Sequence, residues 1–134
     1  LLVNPPAYKA NSQHLDKFAL KIKESIRGRD MPKIVLDDGA SRAEVDVETV
    51  INALKKASSE YNNCISNGKS RNICYVEAIN ELFNAFGSAM INVFYDEDFR
   101  YFAVKSADYN WLLYDAQLNK YKLIRFRDLV AMTV

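Results

Sequence analysis

The chain has 134 residues, is 49% hydrophobic and 26% charged, and sets 18 Lys and Arg against 17 Asp and Glu for a formal charge of +1. Apolar content of that order over that length supports one globular core and excludes disorder as the main state. The near balance of charge leaves no bulk field to draw in nucleic acid or an anionic membrane, so neither is an expected partner.

The chain opens on Leu1, Leu2 and Val3 without an initiator Met, as a processed protein or a fragment would. No run approaches the ~20 apolar residues of a membrane-spanning helix, so no membrane span is expected. Pro5 and Pro6 bias their predecessors toward extended geometry and predict an arm over 1–11. From Ser12, Leu15, Phe18, Ala19, Ile22 and Ile26 recur at three- and four-residue steps, which predicts a first amphipathic helix that stops near Gly28. The run Met31 to Asp38 predicts a brief strand or a buried connector, closed by Asp37, Asp38 and Gly39.

Ser41 and Glu44 have the spacing of a capping box, which predicts that a second helix begins there. Val47, Val50, Ile51, Leu54, Ala57 and Tyr61 continue its apolar face until Asn62 and Asn63. A polar turn follows over 62–72, then a third helix from about Ile73 to Met90. The third helix carries Val76, Ile79, Phe83, Phe86 and Met90 on one stripe, with Tyr75, Ala78, Leu82 and Ala85 beside it. Apolar surface that wide predicts a central helix covered on more than one side.

After Met90 the apolar period shortens from near 3.6 to near 2. Ile91 to Tyr95, Phe99 to Lys105, Trp111 to Asp115 and Tyr121 to Phe126 are predicted strands of an antiparallel meander. In the last of them Tyr121, Leu123 and Arg125 alternate with Lys122, Ile124 and Phe126, and the pattern does not choose a core side. The expected class is therefore α+β: three helices, two of them a disulfide-closed hairpin, packed on a meander of three to four strands. The division is an arm over 1–11, a mainly helical part over 12–90 and a mainly strand part over 91–134, all within one domain.

Cys64 and Cys74 are the only cysteines, at the end of the second predicted helix and the start of the third. An antiparallel helix pair brings those termini within side-chain reach, so a disulfide is expected to close the turn; two reduced, packed cysteines are the alternative. A disulfide points to an oxidising compartment, periplasmic or secreted. With one histidine in the chain and no second cysteine pair, a structural zinc site lacks its usual ligands.

No catalytic signature or cofactor motif stands out. His14 is the sole histidine and has no nucleophile elbow beside it, and Asp37, Asp38 and Gly39 lack the spaced oxygens of a calcium loop. Lys120, Lys122, Arg125 and Arg127 interleave with Tyr121 and Phe126, but strand alternation sends Lys122 and Arg125 to opposite faces, unlike a base-stacking surface.

The expected function is a partner-protein contact without catalysis, as in inhibitor, immunity or adaptor proteins. The residues proposed to make it are Ser66, Asn67, Lys69 and Arg71 in the cysteine-bounded loop, Asp96, Glu97 and Asp98 at one hairpin tip, and Tyr109 and Trp111 at another. A loop fixed in advance loses less entropy on binding. The alternative is a small-molecule or enzymatic domain whose aromatics, from Phe94 to Tyr114, line a pocket between helices and a curved sheet.

Overall fold

A computed structural model describes residues 32–107 and 110–125. The expected arm, the first predicted helix with His14, and the segment containing Phe126 and Arg127 lie outside these residues. The described chain is α+β, with two helices and six antiparallel strands in two sheets.

Strands β1 (Lys33–Asp37) and β2 (Arg42–Asp46) form a hairpin in which Ile34 faces Val45 and Leu36 faces Ala43. The turn between them is organised by carboxylates. Asp37 accepts from the Gly39 N–H at 2.7 Å, and Asp38 accepts from the Ala40 and Ser41 N–H groups at 2.9 and 2.8 Å. Ser41 and Glu44 therefore belong to this hairpin and do not start a helix, which corrects the capping-box expectation and the helical reading of 41–46. The physical reason is that Asp38 already satisfies the Ser41 N–H, while Glu44 sits opposite Val35 in the strand ladder.

Helix α1 (Val47–Ser66) begins at Asp46, whose backbone is still extended, and Glu48 places negative charge in its first turn, where the helix dipole favours it. Val47, Val50, Ile51, Leu54, Ala57, Tyr61 and Cys64 form its buried stripe at helical spacing. Gly68 takes φ +79°, a backbone angle open to glycine without steric cost, and turns the chain. Helix α2 (Arg71–Phe86) then starts at Ser70, whose hydroxyl accepts from the Ile73 N–H at 3.3 Å. Cys64 and Cys74 are joined in a disulfide across this turn, with Cα atoms 5.4 Å apart.

A short 3-10 helix (Gly87–Asn92) leads into the meander β3 (Val93–Tyr95), β4 (Tyr101–Lys105), β5 (Asn110–Asp115) and β6 (Lys120–Arg125), paired in that order. One face of this sheet presents Val93, Tyr95, Phe102, Val104, Leu112 and Tyr114 to the core shared with α1 and α2. The other gathers Tyr101, Ala103, Trp111, Leu113 and Ile124 into a second buried cluster, with Phe94 against it. Strand β6 serves both: Tyr121 packs on the main core and Ile124 on the second cluster.

The β1–β2 hairpin joins the rest through the outer edge of β1. The Val35 N–H donates to the Ser106 hydroxyl at 2.9 Å, the Ala107 N–H donates to the Val35 carbonyl at 3.3 Å, and the Asn92 amide donates to the Asp37 carbonyl at 2.7 Å. Ser106 and Asn92 are both buried, so each bond meets a polar group that water does not serve.

Helix α2 is not the doubly covered central helix that its composition predicts. Cys74, Ala78, Ile79, Leu82 and Phe86 are buried, but Ile73 and Val76 are 51% and 54% exposed, and Tyr75 and Phe83 are exposed as well. Helix α1 occupies one side of α2, and the Ile73, Val76 and Phe83 side stays open.

Candidate functional site

The β3–β4 turn brings the acidic tip against the helix hairpin. Asp96 anchors it: one carboxylate oxygen accepts from the Arg100 and Tyr101 N–H groups at 2.8 and 2.9 Å, and the Asp96 carbonyl accepts from the Phe99 N–H at 3.1 Å. Burial pushes the Asp96 carboxyl above the usual carboxylate range, and the two N–H bonds pull against that shift. This geometry puts Phe99 at φ +53°, costly for a bulky side chain, and drives its ring into the core at 0% exposure. There it stacks on Tyr95, with centroids 4.9 Å apart, and meets Tyr61 and Tyr75 from the two helices. The Tyr75 and Tyr95 hydroxyls share a hydrogen bond of 2.6 Å.

Phe99 thus seats the tip on the helices, and the two loops singled out in the sequence meet. Arg71, at the start of α2, pairs with Asp98 at 3.5 Å. Both side chains are mostly exposed, so the pair adds little stability and chiefly marks adjacency. Lys69 pairs with Glu77 of α2 at 3.5 Å. Ser66, Asn67, Lys69 and Arg71 on one side, and Glu97 and Asp98 on the other, are exposed. Asp96 is a partly buried structural residue of the turn.

Trp111 does not join this surface. It is 7% exposed, in the second buried cluster, and its strand begins at the opposite end of the sheet beside Ser106. Tyr109 lies outside the described residues. The other aromatics are engaged in packing: Phe102 and Tyr114 pack ring to ring at 6.2 Å, and Phe94 meets Trp111 at 5.4 Å.

Sequence reasoning did not select Ile73, Val76 and Phe83 as contact residues. The stripe falls on one side of α2 at three- and seven-residue steps and continues from Arg71 along the helix. The available signal was an apolar surface too wide for one neighbouring helix to cover.

Arg100 and Asp115 form a bidentate pair at 3.1 and 3.2 Å beneath the tip. The Asp115 carboxylate also accepts from the Gln117 and Leu118 N–H groups, so it ties the β5–β6 turn to the β3–β4 turn. Among the described residues, no three His, Cys, Asp or Glu side chains are grouped to hold a metal ion, and no helix is long and apolar enough to cross a membrane. No protein family, curated protein or solved structure matches the chain at a significant level.

Proposed function

We propose that this chain is an exported protein-binding module, periplasmic or secreted, that acts by surface recognition without catalysis. Its contact surface is the loop Ser66, Asn67, Lys69 and Arg71, the tip residues Glu97 and Asp98, and the open side of α2. The observation that carries this reading is the adjacency of Arg71 and Asp98, which joins a covalently closed loop and an acidic tip beside exposed Ile73 and Val76. An apolar strip bordered by charges of both signs suits a partner protein with an apolar ridge and mixed charge at its rim. The disulfide supports export, because such bonds persist in oxidising compartments.

The test compares the wild-type chain with Val76→Asp as bait in the native source, with bound proteins quantified by mass spectrometry. A partner retained by the wild type and lost by Val76→Asp, with circular dichroism unchanged, is the expected result. Equal retention by both overturns the assigned surface. Alkylation of a freshly isolated sample tests the compartment: modification of both Cys64 and Cys74 in the folded protein overturns export.

A further inference from the structure

Asn67 is the only asparagine in the chain that is followed by glycine, and both residues are exposed in the turn that Cys64 and Cys74 close. An Asn-Gly pair carries its own reaction. The Gly68 nitrogen attacks Cγ of Asn67, and a five-membered imide forms while the side-chain amide nitrogen leaves as ammonia, taking the Gly68 proton with it. One water then opens the ring at either carbonyl and leaves aspartate or isoaspartate. Glycine has no side chain to hinder the approach, so backbone conformation decides the rate.

The fold withholds that conformation. Ring closure needs the Gly68 nitrogen to swing round beside Cβ of Asn67, but Asn67 sits at φ −83° and ψ 6°, which turns the nitrogen away from Cβ. The nitrogen is also engaged. Its N–H donates to the Ile65 carbonyl at 3.0 Å, while the Asn67 N–H donates to the Asn63 and Cys64 carbonyls at 3.0 and 3.2 Å and the Lys69 N–H donates to the Cys64 carbonyl at 3.3 Å. Gly68, at φ +79°, completes this closure of the helix end. Cys64 therefore holds the turn twice: its carbonyl accepts two of these bonds, and its sulfur ties the end of α1 to Cys74 in the first turn of α2.

We propose that the Cys64–Cys74 bond gates deamidation of Asn67. The closed bond keeps the turn wound and the amide in place, and reduction frees the turn to visit the reactive geometry. A dithiol supplies the opening step by exchange: both cysteine sulfurs gain hydrogen and the dithiol closes to its own cyclic disulfide. Opening of a turn at a helix end is a local event that does not require global unfolding, and the bond makes it rarer by restricting the open states. The product is a carboxylate close to Lys69 in sequence, where a neutral amide stood, so the chain keeps a negative charge from each reductive exposure even after the cysteines pair again. The inference needs only the bond and the turn and is independent of any partner.

The test compares the oxidised full chain with the same chain held reduced by dithiothreitol and with the double variant Cys64→Ser, Cys74→Ser, all in neutral buffer. Peptide mass spectrometry follows replacement of the side-chain amide by a carboxyl at Asn67, with Asn62 and Asn63 as internal references. Reduction and the double variant are each expected to speed the reaction at Asn67 about tenfold or more, with Asn62 and Asn63 unchanged and the helix signal in circular dichroism retained. Because either treatment can unfold the chain, the oxidised protein is also measured in urea, where the bond stays closed and the turn unwinds. Its rate in plain buffer should be lower than in urea by about tenfold or more. Equal rates in the oxidised and reduced chains, acceleration only together with loss of the helix signal, or equal rates of the oxidised chain with and without urea, overturn the proposal.

Discussion

Phe99 makes the clearest energetic statement at the scale of one side chain. Its left-handed backbone costs on the order of 1 to 2 kcal/mol, and burying a phenyl ring returns about 1.5 to 3 kcal/mol, so the ring holds the turn in place. Phe99→Ala keeps the backbone cost, loses the burial and opens a cavity; we expect a loss of about 3 to 5 kcal/mol in urea unfolding. The same substitution should weaken partner binding, because the tip is no longer seated beside Arg71. A buried polar contact gives a second expectation. Asn92→Ala leaves the Asp37 carbonyl short of its donor, for about 1 to 3 kcal/mol in the same measurement. Neither role was legible in the sequence: Phe99 reads as the first residue of a strand and Asn92 as a strand residue, since nothing local announces a positive φ or a distant carbonyl.

Among the elements, the disulfide-closed helix hairpin was the most legible, because a polar turn between two amphipathic stripes has few other solutions and the cysteines sit at its base. Cys64→Ser with Cys74→Ser should cost about 2 to 3 kcal/mol by loop-entropy arithmetic, read as a lower urea midpoint under nonreducing conditions. The meander was equally legible, since its period falls to two over four consecutive runs. The β1–β2 hairpin was legible by half. Ile34 to Leu36 marked the first strand, but the alternation of Arg42–Asp46 rests on Ala43 and Val45 alone and its first three residues are exposed, so a chance Ser41/Glu44 spacing outweighed it. The candidate surface divided the same way. Loop and tip were visible as turns, whereas their contact spans Arg71 to Asp98 and depends on how Phe99 docks. Trp111 was misplaced as a surface residue because the sequence did not show that both sheet faces are buried.

For the molecule as a whole, ionisation sets opposing limits on stability. Burial raises the phenols of Tyr95, Tyr114 and Tyr121, that of Tyr114 being pushed up to about 12. A raised phenol stays protonated in the folded state while the unfolded chain releases its proton, so this stability is intact below about pH 10 and is lost as pH climbs toward the folded values. Denaturant midpoints should therefore fall above about pH 10, and absorbance at 295 nm should show tyrosines ionising together with loss of the fold. At the acid end, the Ser88 hydroxyl and the Ser41 and Ala40 N–H groups hold Asp38 well below the usual carboxylate range. Its contribution is present above about pH 4 and is lost as pH falls through the lowered folded value. Protonation of Asp96, whose shift runs the other way, offsets part of that loss. The midpoint difference between wild type and Asp38→Asn should accordingly shrink toward pH 2 if Asp38 is the responsible group.

The seam between the two sheets has a kinetic meaning. Because β1 meets the rest of the fold through Ser106 and Ala107 of the β4–β5 connection, Asn92 and Ser88 of the 3-10 helix and the buried Ile34, in place of a full ladder of strand pairs, residues 33–46 can open while every rung of the four-stranded meander stays closed. Their amide protons should exchange with deuterated solvent well before those of β4 and β5, so that the protein opens first at this joint.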